Sequence, residues 1–173
     1  MHQTILTLVI LLLIAQTTLA YVLRNGDYRI YYGNYQAPIT HRFFTAKPNS
    51  RDGNVQMYPR EDSNYQIWRL RNKGNGKVTL ESKGARGKYL GLGRSDARPG
   101  SYLGVVHKPV KFRITRKFGG PFTAYELAYP KKVDGDTLVV SLDNGEGREE
   151  PYFVNFAIQG TVLGAFKMSR VSD

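Results

Sequence analysis

A triplet that returns three times constrains this chain more than any other feature. Trp68-Arg69-Leu70, Phe112-Arg113-Ile114 and Phe166-Lys167-Met168 each place an aromatic residue, a cation and a large aliphatic residue in a row. Successive side chains of an extended chain point to opposite faces, so the aromatic and the aliphatic share one face and the cation takes the other. Each triplet closes one of three units, Asn25 to Asn72, Gly76 to Lys117 and Pro121 to Arg170. Each unit opens on an alternating strand: "DYRIYY" with Tyr28 and Ile30, "KVTLES" with Val78 and Leu80, "AYELAY" with Tyr125 and Leu127. Two further short apolar runs lie inside each unit: "HRFFTA" and "NVQMY", "KYLGLG" and "YLGVV", "TLVVSL" and "YFVNFA". That makes four strands per unit and twelve in all, joined by turn-rich connections such as "RNKGNGK", "GRSDARPGS", "PKKVDGD" and "DNGEGREEP".

Three four-stranded units without a helical period predict an all-β chain with the β-trefoil architecture. Six strands close a barrel and six form three hairpins that cap one end. Closure removes the sheet edges that a chain rich in Tyr, Phe, Val and Leu would otherwise expose. Trp68, Phe112 and Phe166 then occupy equivalent core positions around a pseudo-threefold axis. A β-sandwich, the competing architecture, gives no reason for a threefold repeat.

Residues 1–20, "MHQTILTLVILLLIAQTTLA", read as a signal peptide: an apolar run from Ile5 to Ala15, too short to span a bilayer, then Thr18 and Ala20 at the small-residue cleavage positions. The expected mature chain is a single β-trefoil domain, residues 21–173, secreted and extracellular, monomeric, with no membrane association. All 25 Lys and Arg and all 14 Asp and Glu lie after residue 20, so its net charge stays +11. The chain has no cysteine, so the core and the sheet hydrogen bonds hold it together without disulfides, and thiol catalysis and thiolate metal sites are excluded.

The sequence predicts no enzymatic activity. His41 and His107 stand in no nucleophile motif and at no metal-ligand spacing, and Asp134, Asp136 and Asp143 fall in glycine-containing connections. "DNGEGREE" lacks the spacing of a calcium loop, and the glycines of "YLGLG" belong to a strand, so neither a metal nor a cofactor is expected. The cations are spread over most segments, with small clusters at "PKKV" and "RITRK". A solvated basic surface accounts for them, and no specific nucleic-acid partner is expected; a basic protein binding anionic polymers is a third possibility, its affinity falling with salt.

Two loops offer a basic side chain on a rigid scaffold: "KPNSRDG" at 47–53 and "GRSDARPG" at 93–100, both after the second strand of their unit. Such a loop can act as a protease bait, with the cation entering an acidic specificity pocket. Proline makes Lys47-Pro48 and Arg98-Pro99 poor scissile bonds, which leaves Arg51-Asp52 and Arg94-Ser95. The candidate protease-contact residues are therefore Asn49, Ser50, Arg51, Asp52, Arg94 and Ser95.

"NGDYRIYY", "YQIWRL", "KVTLES", "VKFRIT", "AYELAY" and the terminal "AFKMSRV" resemble, in their order, the small fungal β-trefoil serine-protease inhibitors of the cospin and cnispin group. That resemblance implies a trefoil that blocks trypsin-like endopeptidases through one surface loop, without cofactors, with Asn49, Ser50, Arg51 and Asp52 as the matching positions. A second resemblance is to ricin-B-type lectins, through the Gln-x-Trp element Gln66-Ile67-Trp68. The other lobes read Lys111-Phe112 and Ala165-Phe166 at that place. A lectin site would bring an aspartate and an exposed aromatic together, for example Asp27 with Tyr31 or Tyr35. The function expected first is inhibition of a serine protease; carbohydrate binding is the alternative.

Overall fold

Strands form at all twelve places where the alternation predicts them. The computed structural model describes residues 23–32, 42–47, 53–93, 96–117, 123–143, 152–161 and 165–172. The strands are β1 (Gly26–Tyr32), β2 (Arg42–Thr45), β3 (Gln56–Pro59), β4 (Trp68–Asn72), β5 (Lys77–Ser82) and β6 (Tyr89–Leu92), then β7 (Leu103–Val106), β8 (Phe112–Lys117), β9 (Ala124–Val133), β10 (Asp136–Asp143), β11 (Tyr152–Ile158) and β12 (Ala165–Arg170). Six of them pair antiparallel in a closed ring, β1 to β4, β4 to β5, β5 to β8, β8 to β9, β9 to β12 and β12 back to β1. The other six are the hairpins β2–β3, β6–β7 and β10–β11. This is a β-trefoil; the signal peptide expected at residues 1–20 lies outside the described residues.

The recurring triplet sets the register of the ring. Its aromatic faces the first apolar residue of its own lobe's opening strand: Trp68 pairs with Tyr28, Phe112 with Val78, Phe166 with Tyr125. Its aliphatic faces the second apolar residue of the next opening strand: Leu70 pairs with Leu80, Ile114 with Leu127, Met168 with Ile30. One three-residue pattern therefore closes the barrel at all three seams. Trp68, Phe112 and Phe166 are fully buried, as are Ile30, Leu80 and Leu127. A strand period of two leaves no freedom here, because a one-residue slip would turn every core side chain outward.

The cap converges in the same threefold way. Val55, Leu103 and Val154, each fully buried, stand just before or within the third strands of the lobes. The Val55 N–H donates to Leu103 O at 2.7 Å, and the Val154 N–H donates to Val55 O at 3.1 Å.

Two elements differ from the sequence reading. "PKKVDGD" reads as a turn, yet β9 runs through Pro130 to Val133, and Asp136 and Asp143 are strand residues rather than turn residues. Asp134 and Gly135 explain the short turn, since both have positive φ (51° and 87°), the geometry of a two-residue hairpin turn. Along β9 the register against β10 jumps, with Lys132 facing Thr137 and Ala128 facing Val139, so two extra residues bulge out around Pro130. A bulge is the place where a strand tolerates a proline. The second difference is at "QIW": a short 3-10 turn, Asn64–Gln66, precedes β4, and the strand begins at Trp68.

Candidate functional site

The first lobe carries the Gln-x-Trp element, and its polar atoms are used internally. Gln66 Nε2 donates to Pro59 O at 2.7 Å and to Thr45 Oγ1 at 3.1 Å, while its Oε1 accepts the Glu61 N–H at 2.8 Å. The Trp68 Nε1–H donates to Phe44 O at 2.9 Å. Both side chains are fully buried, so the element ties the β2–β3 hairpin to the barrel. Asp27 and Tyr31 stand four residues apart on β1, roughly 13 Å along the strand, and do not converge. The Tyr31 ring packs on Phe43, centroids 5.3 Å apart, and Tyr35 lies outside the described residues.

Asp27 has cations of its own. Its carboxylate accepts Arg69 Nε at 3.0 Å and Lys83 Nζ at 2.9 Å, and its side chain is 12% exposed. The hydrogen bond from the Arg69 guanidinium is the largest influence and, with Lys83, holds the carboxyl below its ordinary value of 3.8 against the opposing effect of burial. A folded-state value below the unfolded one means stability that is present above pH 3.8 and lost as pH falls through the lowered value. Asp27→Asn should therefore flatten the acid limb of the stability profile, measured as thermal midpoint from pH 2 to 7, and reduce the midpoint at pH 7; an unchanged acid limb would show that the pair contributes nothing.

The third lobe presents a different outward face. Alternation along β10 and β11 sends Val140, Leu142, Val154 and Phe156 to the core, and Ser141, Asp143, Phe153 and Asn155 away from it. Asp143 pairs with Phe153 and Ser141 with Asn155. Tyr102 reaches this face from the approach to β7 by an isolated bridge to Asn155. Its ring lies 5.2 Å from that of Phe153, and its hydroxyl donates to Asp143 Oδ2 at 2.8 Å. Both rings are half-buried, and among the described residues the buried Asn155 Oδ1 has no hydrogen-bond partner. Two rings beside a carboxylate and an amide can pack on the apolar face of a pyranose while polar groups meet its hydroxyls. Sequence reading missed this group because Tyr102 and Asp143 are far apart in the chain and Asp143 was assigned to a turn. The outward alternation of Asp143, Phe153 and Asn155 was the available signal.

The predicted protease-contact residues Asn49, Ser50, Arg51, Asp52, Arg94 and Ser95 all lie outside the described residues, as does His41; His107 is exposed just after β7. Their flanks are described, and they meet. Gly53 O accepts the Val105 N–H at 3.0 Å. A methyl group at Gly104 would stand 2.9 Å from Gly53 O and 3.6 Å from the Gly93 Cα, so the absence of a side chain there lets the two loop ends approach. Beyond the second loop, the Gly100 N–H donates to Phe156 O at 2.7 Å, the Ser101 N–H to Arg98 O at 3.1 Å, and Ser101 Oγ to Asp96 O at 2.8 Å. Among the described residues no group of three or more His, Asp or Glu is placed to hold a metal, and no helix is long and apolar enough to cross a membrane.

No family model and no curated protein matches the sequence. Solved structures do match. The ricin B-like lectin of Macrolepiota procera, in complex with lactose, superposes with a TM-score of 0.67 at 19% identity, over 88% of this chain and 100% of that one. The designed three-fold symmetric protein ThreeFoil superposes with a TM-score of 0.64 at 16% identity, over 85% of this chain and 100% of that one. At these identities the likeness is one of fold.

Proposed function

We propose that the chain is an exported β-trefoil protein, mature from residue 21, that binds carbohydrate on the third-lobe face. The observation that carries this reading is the Tyr102–Phe153 ring pair set against Asp143. A pyranose has one face of C–H groups and a rim of hydroxyls, and this face offers rings for the first and hydrogen-bonding groups for the second. The fold shared with a lactose-bound lectin supports the reading, although fold alone does not assign a function.

The test is a glycan array followed by calorimetry on the best neutral ligand. Tyr102→Ala and Phe153→Ala should each weaken binding by about tenfold or more, equivalent to about 1.4 kcal/mol, with little change in thermal midpoint because both rings are half-exposed. No array signal for the wild-type protein, or two variants that bind as well as wild type, would sink the reading.

Inhibition of trypsin-like serine proteases through Arg51-Asp52 or Arg94-Ser95 is a second reading. It is favoured by the pinned flanks of the two loops, because a loop held at its base loses less entropy on binding. Titration of the same protein against active-site-titrated trypsin-like enzymes decides it: stoichiometric inhibition, lost in Arg51→Ala or Arg94→Ala, establishes it, and no inhibition at micromolar protein removes it.

A further inference from the structure

The second lobe contains a cleft of about 620 Å³ between the β6–β7 hairpin, the β7–β8 connection and β9. Its floor is apolar, with Leu92, Val110 and Tyr129, and its rim carries Lys77, Lys108 and Lys111; among the described residues no carboxylate lines it. Tyr129 is fixed at 5.4 Å from the Phe156 ring, next to the bulge at Pro130. None of the three lysines makes an ion pair among the described residues, in contrast to Arg69, Arg71, Lys83 and Lys117.

A second observation is independent of the cleft. In the barrel ring Lys77 stands directly opposite Arg113. The equivalent pair in the first lobe is Asp27 opposite Arg69, a made ion pair. In the third lobe the residue preceding Tyr125, at the place facing Lys167, is Ala124. Like charges directly across a strand pair are destabilising. The second lobe therefore keeps an unfavourable pair at a position where the same scaffold demonstrably accepts a favourable one.

We propose that this cleft binds an acidic polysaccharide, with sulfate or carboxylate groups on Lys77, Lys108 and Lys111 and a sugar ring over Tyr129 and Val110. An anion would relieve the repulsion between Lys77 and Arg113, and the apolar floor suits the C–H face of a sugar ring. The proposal takes only the class of ligand from the carbohydrate-binding reading. Its site is separate from the third-lobe face, so either can fail without the other.

Calorimetry on the purified protein at fixed salt would use three probes: a sulfated dextran oligosaccharide, unsulfated dextran of the same length, and single-stranded DNA of matched charge. The sulfated sugar should bind about a hundredfold more tightly than the unsulfated one and about tenfold more tightly than the DNA. Lys108→Gln and Lys111→Gln should each weaken it about fivefold and lower the salt slope by about one. Lys77→Glu should weaken it on the order of tenfold or more while raising the thermal midpoint, because it places opposite charges across the strand pair. That pairing of weaker binding with a more stable fold separates the proposal from a structural role for Lys77. Arg86→Gln, in the exposed β5–β6 turn, should leave sulfated-dextran affinity unchanged. Equal affinity for DNA, equal weakening by Arg86→Gln, or no binding would each overturn the proposal.

Discussion

Trp68→Ala should lower the free energy of unfolding by about 3–5 kcal/mol, the range for deleting a large buried aromatic. The side chain is fully buried, packs in the core cluster with Phe44, Leu70 and Phe166, and its indole N–H is bonded to Phe44 O. Truncation leaves a cavity and also strips a buried carbonyl of its donor. Its place in the ring adds to this, because it pairs with Tyr28 and Ser82 on either side and so joins β4 to both β1 and β5. For a chain of this size the thermal midpoint should fall by roughly 10 °C or more, read by calorimetry alongside urea denaturation. A loss under about 1 kcal/mol would mean that the seam is held elsewhere.

Gln66→Leu is the second large effect. The leucine roughly conserves volume but leaves Pro59 O and the Glu61 N–H without their partners. Pro59 and Glu61 are exposed, so water can replace part of what is lost, and a destabilisation of about 1–3 kcal/mol is expected by urea titration. Affinity for a neutral glycan should not change, because the polar atoms of Gln66 are bound inside the first lobe. A variant that folds with wild-type stability but loses glycan affinity would reverse this assignment and make Gln66 a ligand-binding residue.

These two variants mark what was legible in the sequence. Alternation located the strands because a half-buried strand repeats every two residues, and the triplets at residues 68, 112 and 166 gave the threefold arrangement before any pairing was known. The local chemistry of β9 was misread: Pro130 looks like a terminator, and only the long-range register against β10 reveals a bulge that accommodates it. The Gln-x-Trp element was legible as a motif, but its partners Thr45, Pro59 and Phe44 come from the preceding hairpin, which shows that it fastens the hairpin rather than facing solvent. Alternation turns Asp143, Phe153 and Asn155 outward, but the rest of the third-lobe face and the second-lobe cleft were not legible, since Tyr102 with Asp143 and Lys77 with Tyr129 are brought together by topology. The opposition of Lys77 to Arg113 could have been inferred by carrying the first lobe's register onto the second.

The pairing of β12 with β1 sets an order of events in time. Within each lobe the opening and closing strands are separated by one unit of chain, so their contacts can form early. Met168 meets Ile30 only when the last strand is available. Non-local pairings form slowly because they must first overcome the entropy of closing a long loop. Until Arg170 has emerged, the opening strand of the first lobe therefore keeps an unpaired edge, and a nascent chain remains open. Loss of β12, Ala165–Arg170, should leave a protein whose lobes condense but whose ring cannot close.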